Sequence, residues 1–296
     1  MISKAVADRL HNSRTVPRAA ILLWFILPVA AWARGPAGIA AADSAVVERA
    51  LGNELRAAQD SGHPMQYRLR RSTPRLTTTK QIIETRDGAV ARLLAINDNA
   101  LNPADRQKDD ARLDALLADP SRQRKRKQTE RDDMGRALKV LRALPKAFIY
   151  AFAGSETNGS TTLEKYSFTP NPKFSSADLE LMVLTTMSGI LTIDAASERV
   201  VRLEGRLQQD VDIGWGILGR LNKGGWIMIE QADVGGGVWR IVRFQMAMSG
   251  RVFFKMRSFD TIEEQSQFAP VPVGMTYQQA IQLLRSEQGS PEVAGR

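Results

Sequence analysis

Few residues in this sequence could perform acid–base or nucleophilic chemistry, and none of them form a familiar catalytic pattern. His63 lies beside Pro64 in a predicted loop before the first strand. A histidine-dependent triad also needs a nucleophile and an orienting acid, and the sequence suggests neither. Gly154-Ser155 and Gly159-Ser160 lack the flanks of a nucleophile elbow, and no glycine-rich segment ends in Gly-Lys-Ser or Gly-Lys-Thr. We therefore predict that the chain is not an enzyme.

The carboxylates favour surface charge over a metal site. Asp109 with Asp110, and Asp132 with Asp133, are adjacent pairs on predicted helices, so the two side chains of each pair diverge by about 100°. A carboxylate-dependent hydrolase assembled from distant strands remains an alternative. The chain contains no cysteine, which excludes disulfides, thiolate metal sites and an acylated lipoprotein cysteine. We predict no metal and no cofactor.

Aromatic and sulfur-containing side chains in the second half of the chain are the candidate ligand contacts. They could line a hydrophobic cavity, where flexible methionine suits an irregular lipid chain. The alternative is that they only fill the core, because sheets bury aromatics routinely. Successive residues of a strand point to opposite faces, so at most half of these side chains can line one cavity. The candidates are Trp215, Trp226, Met228, Trp239 and Phe244.

The first 33 residues resemble a secretion signal. Arg9, Arg14 and Arg18 precede an apolar run over residues 19–32, and Ala31-Trp32-Ala33 places small residues where a signal peptidase acts. The run is shorter than the roughly 20 residues of a spanning helix, which argues against the alternative of an uncleaved anchor. We expect an exported protein of the periplasm or cell envelope, with a flexible N-terminus at 34–42 in the mature chain.

Helical and strand patterns then divide the chain into elements of one domain, predicted over residues 43–286. Apolar spacing predicts a helix over 43–59, and alternation predicts a strand over 65–71. A hairpin follows around Asp87-Gly88. Helices are predicted within residues 104–144, interrupted at Pro120. The last helix is expected at 276–286, and a disordered tail at 287–296.

Most of the chain after Pro145 predicts strands joined by short turns. One such turn is expected at Ser249-Gly250, between strands over 238–248 and 251–258. Turns of two to four residues cannot make parallel crossovers, so the strands should form an antiparallel meander. The predicted fold class is α+β: a strongly curved antiparallel sheet of about ten strands, a half-open barrel with helices covering its concave face.

A run of basic residues lies on the predicted inserted helices. It could contact an anionic membrane surface or other polyanion, or it could be a solvated helix face. For an exported protein we expect no nucleic-acid partner. The residues are Arg122, Arg124, Lys125, Arg126, Lys127 and Arg131.

Several segments together resemble a family of uncharacterised bacterial secreted proteins, which in turn is similar to the outer-membrane lipoprotein carriers (LolA/LolB-like). The segments are residues 148–154, Pro-Asn-Pro-Lys-Phe at 170–174, Ser-Gly-Ile-Leu-Thr-Ile-Asp at 188–194, Glu-Arg-Val-Val-Arg-Leu-Glu-Gly at 198–205, Gly-Trp-Gly at 214–216, Lys-Gly-Gly at 223–225 and Gly-Val-Trp at 237–239. The resemblance implies a half-open barrel whose concave face is plugged by helices. The arginine that gates the carriers' cavity has no matching position here.

The resulting hypothesis is a non-enzymatic envelope protein that binds a lipid, a lipidated protein or another hydrophobic ligand in the concavity of the sheet. The first alternative is a structural or interaction module of the envelope whose sheet is filled by its own side chains. The carboxylate-dependent hydrolase is the second.

Overall fold

Thirteen strands form one antiparallel sheet in the part of the chain described by the computed structural model, residues 37–213, 219–252 and 255–286. The predicted signal peptide and C-terminal tail lie outside these ranges. The strands are β1 (Met65–Thr73), β2 (Leu76–Ile83), β3 (Val90–Ile96), β4 (Asn99–Ala100), β5 (Phe148–Asn158), β6 (Thr161–Pro170), β7 (Met187–Asp194), β8 (Arg199–Leu207), β9 (Val211–Ile213), β10 (Gly219–Leu221), β11 (Trp226–Asp233), β12 (Trp239–Val252) and β13 (Lys255–Pro270).

The strand order joins two hairpin meanders through the C-terminal strands. It reads β4-β3-β2-β1-β13-β12-β11-β8-β7-β6-β5, with β9 and β10 extending beside β12. Within the described residues β4 and β5, the two ends of this order, do not pair, so the sheet is open there. The predicted α+β class with an antiparallel sheet is confirmed. Three very short strands, β4, β9 and β10, account for the count above ten.

Five α-helices of the described chain accompany the sheet. They are α1 (Ala37–Gln59), α2 (Pro103–Ala118), α3 (Pro120–Ala147), α4 (Leu179–Met182), which runs into a 3₁₀ turn (Val183–Thr186), and α5 (Tyr277–Ser286). Asn102 caps α2 by accepting from the Asp105 N–H at 2.8 Å, and Asp119 caps α3 by accepting from the Ser121 N–H at 3.0 Å. Prolines open both helices, at the position where a missing N–H is harmless. The predicted interruption at Pro120 is therefore a helix start.

The turn predicted at Ser249-Gly250 is wrong. Strand β12 continues through both residues to Val252, and Gly250 pairs with Arg257 on β13 and with Leu221 on β10. A Cβ at Gly250 would collide with the Arg220 carbonyl oxygen. The glycine therefore permits the close approach of β10, and it does not reverse the chain.

The main core lies between the sheet and two of the helices. Helix α1 packs on β5, β8 and α3, and Ile227 and Ile229 of β11 point toward it from the same face as Phe244 of β12. A smaller core on the other face joins α2 and α5 to Ile83 and Val90. Helices α1 and α3 thus cover one face, as predicted, whereas α5 and the apolar side of α2 pack on the opposite face.

Helices α2 and α3 also seal the free edge of β3. Asp109 accepts from the Leu93 N–H at 3.2 Å, Arg112 donates to the Ala91 carbonyl at 2.5 Å, and Arg126 donates to the Ala89 carbonyl at 3.0 Å. These bonds satisfy backbone groups that an exposed edge would offer to another chain. Asp109 is only 6% exposed, so its interpretation as surface charge is wrong.

Candidate functional site

A cavity of about 770 Å³ lies between the sheet and helices α1 and α3. Its wall includes residues of β1, β13, β12, β11, β8 and β7, which are consecutive in the strand order. Because six neighbouring strands line one cavity, the sheet curves around it, and this face is the concave one. A volume of this size is within the range of small-molecule sites.

The deep wall of the cavity is apolar. Strand alternation points every second residue of β7, β8 and β11 inward, and most of these inward positions hold aliphatic side chains that are almost fully buried. Helix α1 contributes Leu51, and α3 contributes leucines and a methionine from the opposite side. The apolar lining includes Leu51, Met134, Leu141, Leu144, Leu191, Leu203, Ile229 and Ile241.

The predicted ligand contacts are separated by the structure. Trp239 lines the cavity. Trp226 and Met228 do not, because they alternate with the inward-facing Ile227 and Ile229 along β11, and Trp226 packs instead against the edge of the main core. Phe244 points inward but is buried in the core cluster beside the cavity. Trp215 lies outside the described residues. Ligand binding by any of the five stays a prediction.

One end of the cavity holds a buried ion pair that the sequence analysis missed. Arg199 donates from Nε and Nη2 to the two carboxylate oxygens of Glu54, at 2.8 and 3.0 Å. The Val200 N–H and the Gln231 amide also donate to Glu54, at 3.0 and 3.1 Å. The Arg199 guanidinium lies 5.3 Å from the ring centroid of Trp239. A signal was available, because Glu54 follows Leu51 at helical spacing within the apolar stripe of α1.

The rim of the cavity is polar and reaches solvent at the loop between α1 and β1. Asp60 lies 2.6 Å from His63 Nδ1 and accepts from the Gly62 N–H at 2.7 Å, and this backbone bond and His63 lower the Asp60 pKa. Arg240 donates to the His63 carbonyl at 2.7 Å. Burial lowers the pKa of Arg240 from its usual value. His63 therefore belongs to a charged rim around the apolar cavity.

Some basic residues of α3 hydrogen-bond to the protein backbone, and the others are exposed to solvent. Arg126 and Lys127 face the sheet, where Lys127 donates to the Arg86 carbonyl at 2.5 Å. Arg122, Arg124 and Lys125 are exposed, and Arg131 is exposed at the cavity. Only the exposed four could contact a membrane surface.

The described residues contain neither a candidate metal cluster nor a candidate membrane-spanning helix. Among them, no three His, Asp or Glu side chains are grouped so that they could hold a metal ion. In the same ranges no helix is both long enough and apolar enough to span a bilayer.

Comparison with known proteins finds weak likeness to solved structures. No protein-family model matches the chain, and no curated protein matches it. It is similar to a putative outer membrane lipoprotein-sorting protein domain from Vibrio parahaemolyticus, with 12% identity, a TM-score of 0.32, and coverage of 80% of this chain and 98% of that one. A LolA superfamily protein from Nitrosomonas europaea has 9% identity, a TM-score of 0.29, and coverage of 78% and 94%.

A third similar structure is a DUF1329 family protein from Desulfovibrio piger, with 9% identity, a TM-score of 0.28, and coverage of 80% and 95%. The sequence segments resemble a family of secreted proteins that is in turn similar to outer-membrane lipoprotein carriers, and a LolA-like fold is consistent with these three structures. At these scores the likeness carries no statement about function.

Proposed function

We propose that this chain binds a hydrophobic or amphiphilic ligand, such as a lipid or the acyl chain of a lipidated protein, in the cavity under α1 and α3. The observation that supports this is the apolar volume of about 770 Å³ on the concave face. An interior filled only by its own side chains would be close-packed, with few voids larger than a water molecule. We propose binding without catalysis, in an exported protein of the envelope.

The exposed cations of α3 support a membrane as the place where ligand is exchanged. Arg124 and Lys125 point to solvent, and Arg131 is exposed where the cavity opens. Basic side chains at a surface are attracted to anionic headgroups. The ligand would then enter beside the part of the protein that faces the bilayer.

The test is displacement of a fluorescent fatty acid, offered both free and on anionic vesicles, with two matched tryptophan variants. Trp239→Ala removes a cavity wall and should weaken binding on the order of tenfold, which corresponds to about 1.4 kcal/mol. Trp226→Ala removes the same side chain from a position that does not line the cavity and should leave binding unchanged.

A second pair on one strand guards against effects on folding. Ile229→Ala should change fatty-acid affinity, and its neighbour Met228→Ala should not, although both side chains are buried. Absence of any bound lipid by native mass spectrometry, together with no binding of the probe, would favour the alternative of an interaction module. Equal losses in the two variants of each pair would place the ligand elsewhere.

A further inference from the structure

Among the described residues, Lys80 is a largely buried cation without a partner. Its side chain points from β2 onto the concave face and is only 8% exposed. Within the described residues its ammonium group donates no hydrogen bond, and no carboxylate oxygen lies within 4.0 Å. Burying a charge is strongly unfavourable unless it is paired. A buried ion that the protein leaves unpaired is therefore a position where a ligand can supply the missing partner.

Among the described charged groups around Lys80, the lysine is the cation that has no acceptor. On the neighbouring strands Arg71 Nε lies 3.3 Å from Glu263 Oε1, a contact without hydrogen-bond geometry. From α2, Arg112 is bonded to Asp109 at 2.7 Å and to the Ala91 carbonyl. From α3, Arg126 is bonded to the Ala89 carbonyl and lies near Glu130. Each arginine therefore has an acceptor or a carboxylate, and the lysine has neither.

The environment of Lys80 is positive at neutral pH. Burial, followed by the charges of Arg112, Arg71 and Arg126, lowers the pKa of Lys80 to about 8, although Asp109 acts in the opposite direction. Lysine with a pKa near 8 is still mainly protonated at pH 7, so the site carries the charge that an anion would neutralise. Burial raises the pKa of Glu263, a carboxylate of β13 whose charge is favoured by Arg71 and Lys80, and this weakens it as a partner for them.

We propose that Lys80, Arg71 and Arg112 form a binding site for an oxyanion, a phosphate or carboxylate group. The Arg71 and Arg112 side chains are 38% and 37% exposed, so an anion entering from solvent meets them before it reaches the lysine. A guanidinium and an ammonium on one anion are the usual donors for phosphate recognition.

The site adjoins the cavity but does not depend on it. Leu69 lies opposite Lys80 in the β1–β2 register, and Tyr67, two residues along on the same face of β1, lines the cavity. Two residues of a strand span about 7 Å. The oxyanion could therefore be a free ion or the headgroup of a molecule whose chain lies in the cavity.

Calorimetric titration of the whole chain with inorganic phosphate tests the site. Lys80→Met should raise the Kd at least tenfold, and Lys80→Arg should retain most of the affinity. Glu263→Gln removes a competing carboxylate and should lower the Kd several-fold, a gain that misfolding cannot imitate. Lys173→Met, an exposed lysine far along the sequence, should change nothing. Unchanged affinity in Lys80→Met, or no phosphate binding by the wild type and Glu263→Gln, overturns the proposal.

Dodecyl phosphate distinguishes the two sources of the oxyanion. If the headgroup of a cavity-bound amphiphile occupies the site, dodecyl phosphate binds more tightly than phosphate, and both Lys80→Met and Trp239→Ala weaken it. If the ligand is a free ion, the two compounds bind equally and Trp239→Ala has no effect. If the wild type binds phosphate but no fatty acid, the proposed function is refuted and this site is not. If the wild type binds fatty acid but no phosphate, this site is refuted and the proposed function is not.

Discussion

The two ends of the concave face bury charge in different ways. Where β8 and β11 meet α1, Glu54 and Arg199 form a two-point ion pair, and every oxygen of the carboxylate has a donor. Where β1 and β2 meet α2 and α3, Lys80 is equally buried and has no partner within the described residues. The first pair lies in the cavity wall beside acceptors and donors of both signs, whereas the surroundings of the second are cationic.

The difference shows that burial of an ionisable group says little until its partners are counted. A paired charge in an apolar wall fixes the geometry of that wall, because breaking the pair leaves an isolated ion in a low-dielectric environment. A buried charge without a partner lowers the stability of the folded state and leaves room for a ligand to restore it. The same sheet face can therefore combine a rigid cavity wall with a destabilised binding position.

The largest expected effect is at the paired end. Glu54→Ala leaves Arg199 and Gln231 without their acceptor inside the cavity wall, so the free energy of unfolding should fall by about 3–5 kcal/mol in urea denaturation. Glu48→Ala, at an exposed position on the same helix, should change it by less than about 0.5 kcal/mol. A loss below about 1 kcal/mol in Glu54→Ala would mean that water reaches the pair and that both ends of the face are alike.

Removing the charge of Lys80, at the unpaired end, should raise the free energy of unfolding. Lys80 has a pKa of about 8 in the fold, compared with 10.5 for an ordinary lysine side chain in water. Below pH 8 both states are protonated and the folded state carries the full penalty, at most roughly 3 kcal/mol. Between these values the unfolded state binds more protons, so stability rises with pH. Lys80→Met should therefore stabilise the protein by up to about 3 kcal/mol at pH 7, with the gain vanishing toward pH 10.5.

The control for this change is Lys173→Met, which should not alter the pH dependence because the side chain is exposed. Unfolding by urea at several pH values between 7 and 10 measures both variants. A destabilised Lys80→Met protein at pH 7 would show that the ammonium is well solvated. Phosphate should reduce the difference between wild type and variant if the oxyanion site exists.

Much of the sheet follows from local pattern, and the errors have tertiary causes. Apolar residues alternate with charged ones over 199–207, which predicts a strand with these bounds, and β8 has them (Arg199–Leu207). Ser249 and Gly250 have the residue types of a turn, but here the glycine accommodates the close approach of β10. This approach is a tertiary contact that the residues around 249–250 do not predict. Asp109 looks like surface charge by adjacency to Asp110, although its acceptor role toward Leu93 depends on how α2 lies along the β3 edge.

For the candidate site, the sequence predicts which side chains share a face of the sheet but not which of the two faces is concave. It requires Trp226 and Met228 to share a face opposite Ile227 and Ile229, and the structure has this arrangement. Which of the two faces is concave depends on the curvature of all the strands together, so the sequence could not choose Ile229 over Met228. Glu54, Arg199 and Lys80 come from segments far apart in the chain, and only the strand order and the packing of α1 on the sheet bring them to one surface.

The smallest effect should come from the convex face directly behind the cavity wall. Glu230 follows Ile229 on β11 and lies 3.2 Å from Arg202, whose side chain is 45% exposed. Solvent screens such a pair, and exposed ion pairs contribute about 0–1 kcal/mol. Glu230→Gln should therefore reduce the free energy of unfolding by less than about 1 kcal/mol, and high salt should remove even that difference. A loss as large as that of Glu54→Ala would mean that the convex face is covered in solution, since only desolvation could give this pair the strength of the one inside the cavity wall.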